Sequence, residues 1–132
     1  MRSLLLTALL ALASLVASAA AAQDNTHFAI GGEALRDQDW EAAEVHFAAA
    51  QQEATGDERN AATYWLAFSI FKQGEGIVRG LDAQDTTSAR RALELFERSR
   101  TVVQDTTHPQ REGMEQTIAA LVDLLSPLVG PP

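Results

Sequence analysis

Apolar residues recur every three or four positions from about residue 24 to residue 126, with polar residues between them. This spacing places apolar side chains along one face of an α-helix. The period-two alternation that is typical of strands does not occur in any segment rich in β-branched residues. The pattern therefore predicts an all-α fold, in which short connections make neighbouring helices antiparallel.

The first part of this pattern predicts two helices. One runs from a capping segment at residues 24–26 to about Arg36, and the next runs from Trp40 to about Ala54. Large and small side chains alternate along one face of the second helix, which favours close packing against a neighbour. The residues of this stripe are Trp40, Ala43, Phe47 and Ala50.

An aromatic-rich third helix is predicted over residues 60–73. Gly74 and Gly76 follow at once, and because glycine disfavours the helical conformation, the third helix is expected to end there. Residues 74–88 are expected to form a structured loop or a short helical turn.

Two further helices are predicted after this segment. The residues from Asp85 to Ser88 include several N-cap candidates for a fourth helix. Phe96 lies on one apolar face of that helix and Leu95 on another, so we expect it to be packed on two sides. A final amphipathic helix is predicted around residues 114–125 and is expected to end at Pro127.

Residues 1–22 differ from the rest of the chain, since 17 of them are apolar and none is acidic. Arg2, the apolar run Leu4–Val16 and the small residues Ala17–Ala22 predict a secretory signal cleaved near Ala22. The apolar run is shorter than the roughly 20 residues that span a bilayer. We therefore predict a signal peptide at 1–22, a helical domain at 23–126, a flexible tail at 127–132, and a periplasmic or secreted product.

Charge and cysteine content narrow the range of partners. The signal segment holds one basic residue, so residues 23–132 carry nine basic and 18 acidic side chains, a net charge of -9. This charge repels nucleic acid and anionic lipid, so neither a nucleic-acid partner nor stable membrane insertion after cleavage is expected. The absence of cysteine excludes disulfides, thiolate metal sites and cysteine nucleophiles.

No motif in the sequence indicates catalysis or metal binding. Asp37, Asp39 and Glu41 are spaced like the start of a calcium loop, but the required glycine and the final glutamate are missing. The three histidines are too far apart along the chain to suggest a set of metal ligands. They are His27, His46 and His108. We therefore expect no catalytic residue, no metal, no cofactor and no enzymatic activity.

The segment from about residue 24 to residue 56 resembles a tetratricopeptide (TPR) repeat, a helix pair with a period of about 34 residues. Gly31 occupies the small position of the first helix, and Asp39-Trp40 resembles the acidic-aromatic turn. The second helix has the family's alanine-aromatic-alanine spacing at Ala43, Phe47 and Ala50.

A second, less regular copy of the repeat begins with Ala67 in the small position. It resumes with Ala92, Phe96 and Ser99 at the same intervals of four and three positions. The interval from Ala67 to Ala92 is about twice the interval from Gly31 to Ala43. The comparison therefore predicts an insertion of thirteen positions in the second turn, around residues 75–87. The final helix then resembles the helix that caps such arrays.

The resemblance also implies a binding surface, because the first helix of each TPR pair lines a concave peptide-binding groove. The residues that it places in this groove are Phe28, Leu35, Tyr64, Phe68 and Lys72. The protein is then expected to be a non-catalytic adaptor that binds another envelope protein or peptide, or that self-associates. The alternative is a small helical module that binds an apolar ligand or lipid. An open aromatic strip favours the adaptor, and an enclosed pocket favours the ligand carrier.

The signal-peptide prediction can be checked by mass spectrometry of the exported protein. Cleavage after Ala22 gives an intact mass that corresponds to a chain beginning at Gln23. Recovery of the apolar segment Leu4–Val16 in a membrane pellet would contradict the prediction.

Overall fold

The computed structural model describes residues 26–130, which form five α-helices joined by short connections. The helices are α1 (Thr26–Arg36), α2 (Trp40–Glu53), α3 (Gly56–Arg79), α4 (Thr86–Val103) and α5 (Arg111–Val129). No strand occurs within the described residues, so the predicted all-α class is confirmed. None of these five helices has the length and hydrophobicity of a membrane-spanning segment. The predicted signal peptide lies outside the described residues.

Each helix packs chiefly against the helices that precede and follow it in the chain. The buried residues form two core clusters, and α3 and α4 contribute to both. The N-terminal core consists of Ala34, Ala43, Phe47, Leu66, Ile70 and Leu95. The C-terminal core consists of Tyr64, Ala67, Phe71, Ala92, Phe96, Val103, Met114, Ile118 and Leu125.

The predicted apolar faces of α2 and α4 are confirmed. Ala43, Phe47 and Ala50 of α2 are all buried. On α4, Leu95 packs into the N-terminal core and Phe96 into the C-terminal core, so this helix is covered on two sides. Helix α4 is therefore an interior element that joins the two cores.

The turn between α1 and α2 is closed by backbone hydrogen bonds. Asp39 N–H donates to the Ala34 carbonyl at 2.8 Å, and Gln38 N–H donates to the Leu35 carbonyl at 3.0 Å. This is a Schellman arrangement, in which Gln38 takes the left-handed conformation with φ +58°. The Asp39 carboxylate then accepts a hydrogen bond from Ala42 N–H and caps α2, which begins at the predicted residue.

The predicted end of the third helix is wrong, because α3 continues through both glycines to Arg79. Gly74 is buried at the point where α3 crosses α4, and an added Cβ would lie only 2.9 Å from Cε1 of Phe96. This glycine therefore permits close packing of two helices and does not end one. Burial of the segment that follows, which includes Ile77 and Val78, offsets the weak helix propensity of glycine.

The structure also changes how the two helix pairs correspond. Gly31 lies under Phe47, where an added Cβ would be 3.0 Å from Cζ of the ring, just as Gly74 lies under Phe96. The counterpart of Gly31 is therefore Gly74 and not Ala67. The interval from Gly74 to Ala92 in the second pair is then only six positions longer than the interval from Gly31 to Ala43 in the first.

The second helix pair therefore has six additional positions, and not the thirteen predicted around residues 75–87. Both α1 and α3 end five positions after their glycine, at Arg36 and Arg79. The connection between α3 and α4 spans residues 80–85, three positions more than the α1–α2 turn. The other three additional positions form an extra turn at the start of α4, which Asp85 caps by accepting from Ser88 N–H.

The final helix also extends beyond its predicted end. α5 continues through Pro127 to Val129, so this part of the predicted flexible tail is helical. Leu125 is buried and Leu128 packs against the C-terminal core, and these contacts hold the last turn despite the missing proline N–H. Residues 131–132 lie outside the described residues.

Replacement of two glycines of α3 by alanine tests the close crossing. Gly74→Ala should have a free energy of unfolding about 1 to 3 kcal/mol lower than that of Gly76→Ala, because its added methyl group overlaps the enclosed ring of Phe96. Gly76→Ala is the matched control, since no atom lies within 4 Å of its added Cβ. It should raise the free energy of unfolding by about 0.5 to 1 kcal/mol through helix propensity. Equal stabilisation in urea unfolding would contradict the close crossing.

Candidate functional site

An aromatic cluster joins the start of α2 to the middle of α3. Its members are Trp40, Tyr64, Trp65 and Phe68. The Phe68 ring meets Trp40 edge-on at a centroid distance of 6.1 Å and Trp65 edge-on at 5.4 Å. Tyr64 and Phe68 are neighbours on one face of α3 because they are four positions apart. Phe68 is half-buried, so one side of the cluster remains accessible.

Tyr64 is covered by the connection between α4 and α5. Its ring stacks on His108 at a centroid distance of 4.0 Å, and its hydroxyl donates to Oε1 of Gln110 at 2.9 Å. Only 4% of Tyr64 is exposed, so the expectation of an open Tyr64 in the groove is wrong. Burial raises the pKa of the Tyr64 phenol above its ordinary value.

A second polar contact ties the same connection to the start of α3. Thr106 is fully buried, and its hydroxyl donates to the Asn60 carbonyl at 2.6 Å and accepts from His108 N–H at 3.2 Å. The Thr106 and Tyr64 contacts join residues that are 46 positions apart in both cases. Together they set where α5 begins relative to α3.

An open cleft of about 460 Å³ lies between α3 and α5, beside the aromatic cluster. We call it the α3–α5 cleft. Its apolar walls come from Phe68 and Phe71 of α3 and from Met114 of α5. Gly113 leaves space along α5, since no atom lies within 4 Å of a Cβ added there. The remaining lining residues are Tyr64, Pro109, Gln110 and Thr117.

Lys72 faces a different cleft, of about 520 Å³, which we call the α2–α4 end cleft. This cleft is bordered by Trp40, Lys72, Gly76 and Arg91, among other residues. The Lys72 ammonium lies 5.3 Å from the centroid of the Trp40 ring and pairs with the Glu75 carboxylate. Glu75, which also pairs with Arg79, helps to hold the Lys72 ammonium over the indole face.

Phe28 and Leu35 are placed apart from both clefts. Each is half-buried on α1 and packs against the N-terminal core, where the Phe28 ring meets Phe47 edge-on at 5.5 Å. The five residues predicted to form one groove therefore separate. Tyr64 and Phe68 border the α3–α5 cleft, Lys72 borders the α2–α4 end cleft, and the two α1 residues support the core.

The α5 side of the cleft and one contact between two histidines are not evident from the sequence. Met114 was predicted to lie on an apolar face, but nothing in the sequence showed that Gly113 would leave an open space beside it. His27 and His46, expected to be dispersed, lie in direct contact, with their Nδ1 atoms 3.0 Å apart. Within residues 26–130 no group of three or more histidine, aspartate or glutamate side chains is arranged to hold a metal ion.

No protein-family model, curated protein or solved structure matches the chain. One accessible feature is the apolar-lined α3–α5 cleft, with half-buried Phe68 at its edge. Such a surface is suited to binding an apolar group.

The pH dependence of stability tests the burial of Tyr64. The folded state holds the phenol in its neutral form, so stability should fall as pH rises past about 10, the ordinary tyrosine pKa. Tyr64 is the only tyrosine of the chain, so its ultraviolet titration reports this residue alone. Tyr64→Phe should remove this part of the alkaline loss. It should also lower stability at neutral pH by about 0.5 to 1.5 kcal/mol through the lost hydrogen bond to Gln110. Titration at the ordinary value in the folded protein would contradict the prediction.

Proposed function

We propose that this protein is a non-catalytic adaptor, acting in the periplasm or outside the cell, that binds an apolar segment of another envelope protein. The observation that supports this proposal most directly is the α3–α5 cleft. Half-buried Phe68 lies at the edge of this trough, which is open to solvent, and the largely buried side chains of Phe71 and Met114 line it. A concave, apolar-lined surface with an accessible aromatic edge is typical of binding sites.

The openness of the cleft favours a protein segment over a small apolar ligand. A carrier for lipids or other apolar molecules encloses most of the ligand surface in a cavity. The α3–α5 cleft instead exposes its length, and the α2–α4 end cleft is also open and has more polar walls. An apolar side-chain row of a helix or extended peptide fits such a trough, with the rest of the segment remaining in solvent.

The proposed relationship to TPR proteins has structural support from two features. Consecutive helices pack in chain order, as they do in repeat arrays. The two helix pairs also share the close contact of a glycine with a phenylalanine of the next helix. The interval from Phe47 to Phe96, however, exceeds the family period of about 34 residues. We therefore propose an irregular, elongated pair of TPR-like units closed by α5.

The net negative charge of the chain also narrows the class of partner that we expect. The excess of acidic residues disfavours nucleic acid and favours a partner that is neutral or basic around its apolar segment. A second copy of the chain is the other occupant that the apolar cleft admits. The proposal thus covers an envelope protein, a peptide or self-association, and the experiment below distinguishes among them.

Blocking the cleft without disturbing the core tests the proposal. Gly113→Leu places a side chain in open space inside the α3–α5 cleft and should abolish capture of the partner from envelope extract. Gly76→Leu is the matched control, because it makes the same change at an open helical glycine of the α2–α4 end cleft. It should leave capture unchanged. Mass spectrometry identifies the captured species, and sedimentation velocity measures self-association of each variant.

A charged substitution provides a second test. Phe68→Asp should abolish partner binding or self-association while circular dichroism shows retained helix. Leu124→Asp controls for added charge, because Leu124 is 63% exposed and does not border the cleft. Partner binding that survives both Gly113→Leu and Phe68→Asp would contradict an adaptor that uses this cleft. Copurification of an apolar small molecule in place of a protein would support the ligand-carrier alternative.

A further inference from the structure

The contact between His27 of α1 and His46 of α2 has a restrictive geometry. Their Nδ1 atoms are 3.0 Å apart, their ring centroids are 5.3 Å apart, and the ring planes differ by 25°. The distance between the two ring centroids equals the Nδ1–Nδ1 distance plus the centroid-to-Nδ1 distance within each ring. Both nitrogens therefore lie on the line that joins the ring centres, and the rings meet edge to edge in nearly the same plane.

This geometry accommodates one proton between the two nitrogens. Each imidazole nitrogen carries either a hydrogen or a lone pair, and both groups lie in the ring plane. Because the two Nδ1 atoms point directly at each other, one must donate and the other must accept. A metal ion would need the two lone pairs to converge at an angle on a third point. The described residues also provide no group of three ligands.

The charged group that pairs with this contact is the Glu53 carboxylate of α2. Its Oε1 lies 3.8 Å from Nε2 of His27, on the side of the ring away from His46. The other α2 acid near His46 in sequence, Glu44, is bound instead by Gln73 of α3 and Arg98 of α4. At 3.8 Å the Glu53 carboxylate therefore acts on His27 as a nearby charge and not as a hydrogen-bond acceptor.

We propose that His27 and His46 form an acid-sensitive latch that holds α1 against α2. A second proton on the pair places two N–H groups and two positive charges head-on at 3.0 Å, so the rings must separate. α1 packs chiefly on α2, where the latch adds to the apolar contacts of Phe28 and Gly31 with Phe47. Without the latch α1 should open more often, and each opening uncovers the Phe47 ring, which is 1% exposed in the latched state. This proposal is independent of the α3–α5 cleft.

A double-mutant cycle of His27→Ala and His46→Ala measures the latch. Urea unfolding of the four proteins should be compared at about pH 8 and about pH 5, on either side of the usual histidine titration. At the higher pH we expect the two side chains to be coupled by about five-fold in the unfolding equilibrium constant, as for one net hydrogen bond. At the lower pH we expect the coupling to be lost or reversed in sign.

A non-titrating replacement separates proton sensing from packing. His46→Asn places an amide oxygen near the position of Nδ1, where it can accept from His27 at either pH. Hydrogen exchange of α1 amides, corrected for intrinsic rates, should therefore lose protection at about pH 5 in the natural protein but not in this variant. His108→Ala, which leaves the latch intact, should keep the pH dependence of the natural protein.

Three results would overturn the proposal. The first is a coupling of unity at both pH values, and the second is the same acid-induced loss of α1 protection in His46→Asn. The third is coupling that disappears in a metal chelator and returns with Zn²⁺, which would make the pair a metal site. Observation by ¹⁵N NMR of one protonated and one unprotonated Nδ1 at about pH 8 would support the shared proton directly.

Discussion

Phe47 and Phe96 each lie against a glycine of the preceding helix, so closely that an added Cβ would meet the ring at about 3 Å. The two rings are 1% and 0% exposed, so neither has room to move away. This constraint fixes the distance between the helices of each pair. It also explains why α3 contains glycine in its interior without ending there, since the close contact compensates for low helix propensity.

The position of α5 depends on contacts of another kind. The apolar residues Ile118 and Leu125 bury its inner face in the C-terminal core, but this face alone would permit some sliding along α3 and α4. The hydrogen bonds from Thr106 to Asn60 and from Tyr64 to Gln110 remove that freedom, because they are directional and lie at the start of the helix. The opening of the α3–α5 cleft is therefore a consequence of where this polar connection holds α5.

The proposed binding surface and the proposed histidine latch occupy opposite ends of the domain. The cleft lies between α3 and α5, within the part of the fold that both polar ties and the larger core make rigid. The latch joins α1 to α2, beside the apolar contacts of Phe28 and Gly31 with Phe47. A change in α1 can therefore occur while the α3–α5 cleft keeps its shape, which makes the two proposals separately testable.

The sequence by itself determined the helical class, the apolar faces of α2 and α4, and the start of α2 after Asp39, because these depend on residues within one or two helical turns. It did not show that Gly74 continues a helix, since that depends on Phe96 of the following helix. The separation of Phe28 from Phe68, the burial of Tyr64 and the meeting of His27 with His46 were likewise decided by tertiary structure. Helix periodicity specifies which side of a helix is apolar, whereas the depth and rotation of each crossing depend on side chains from both helices.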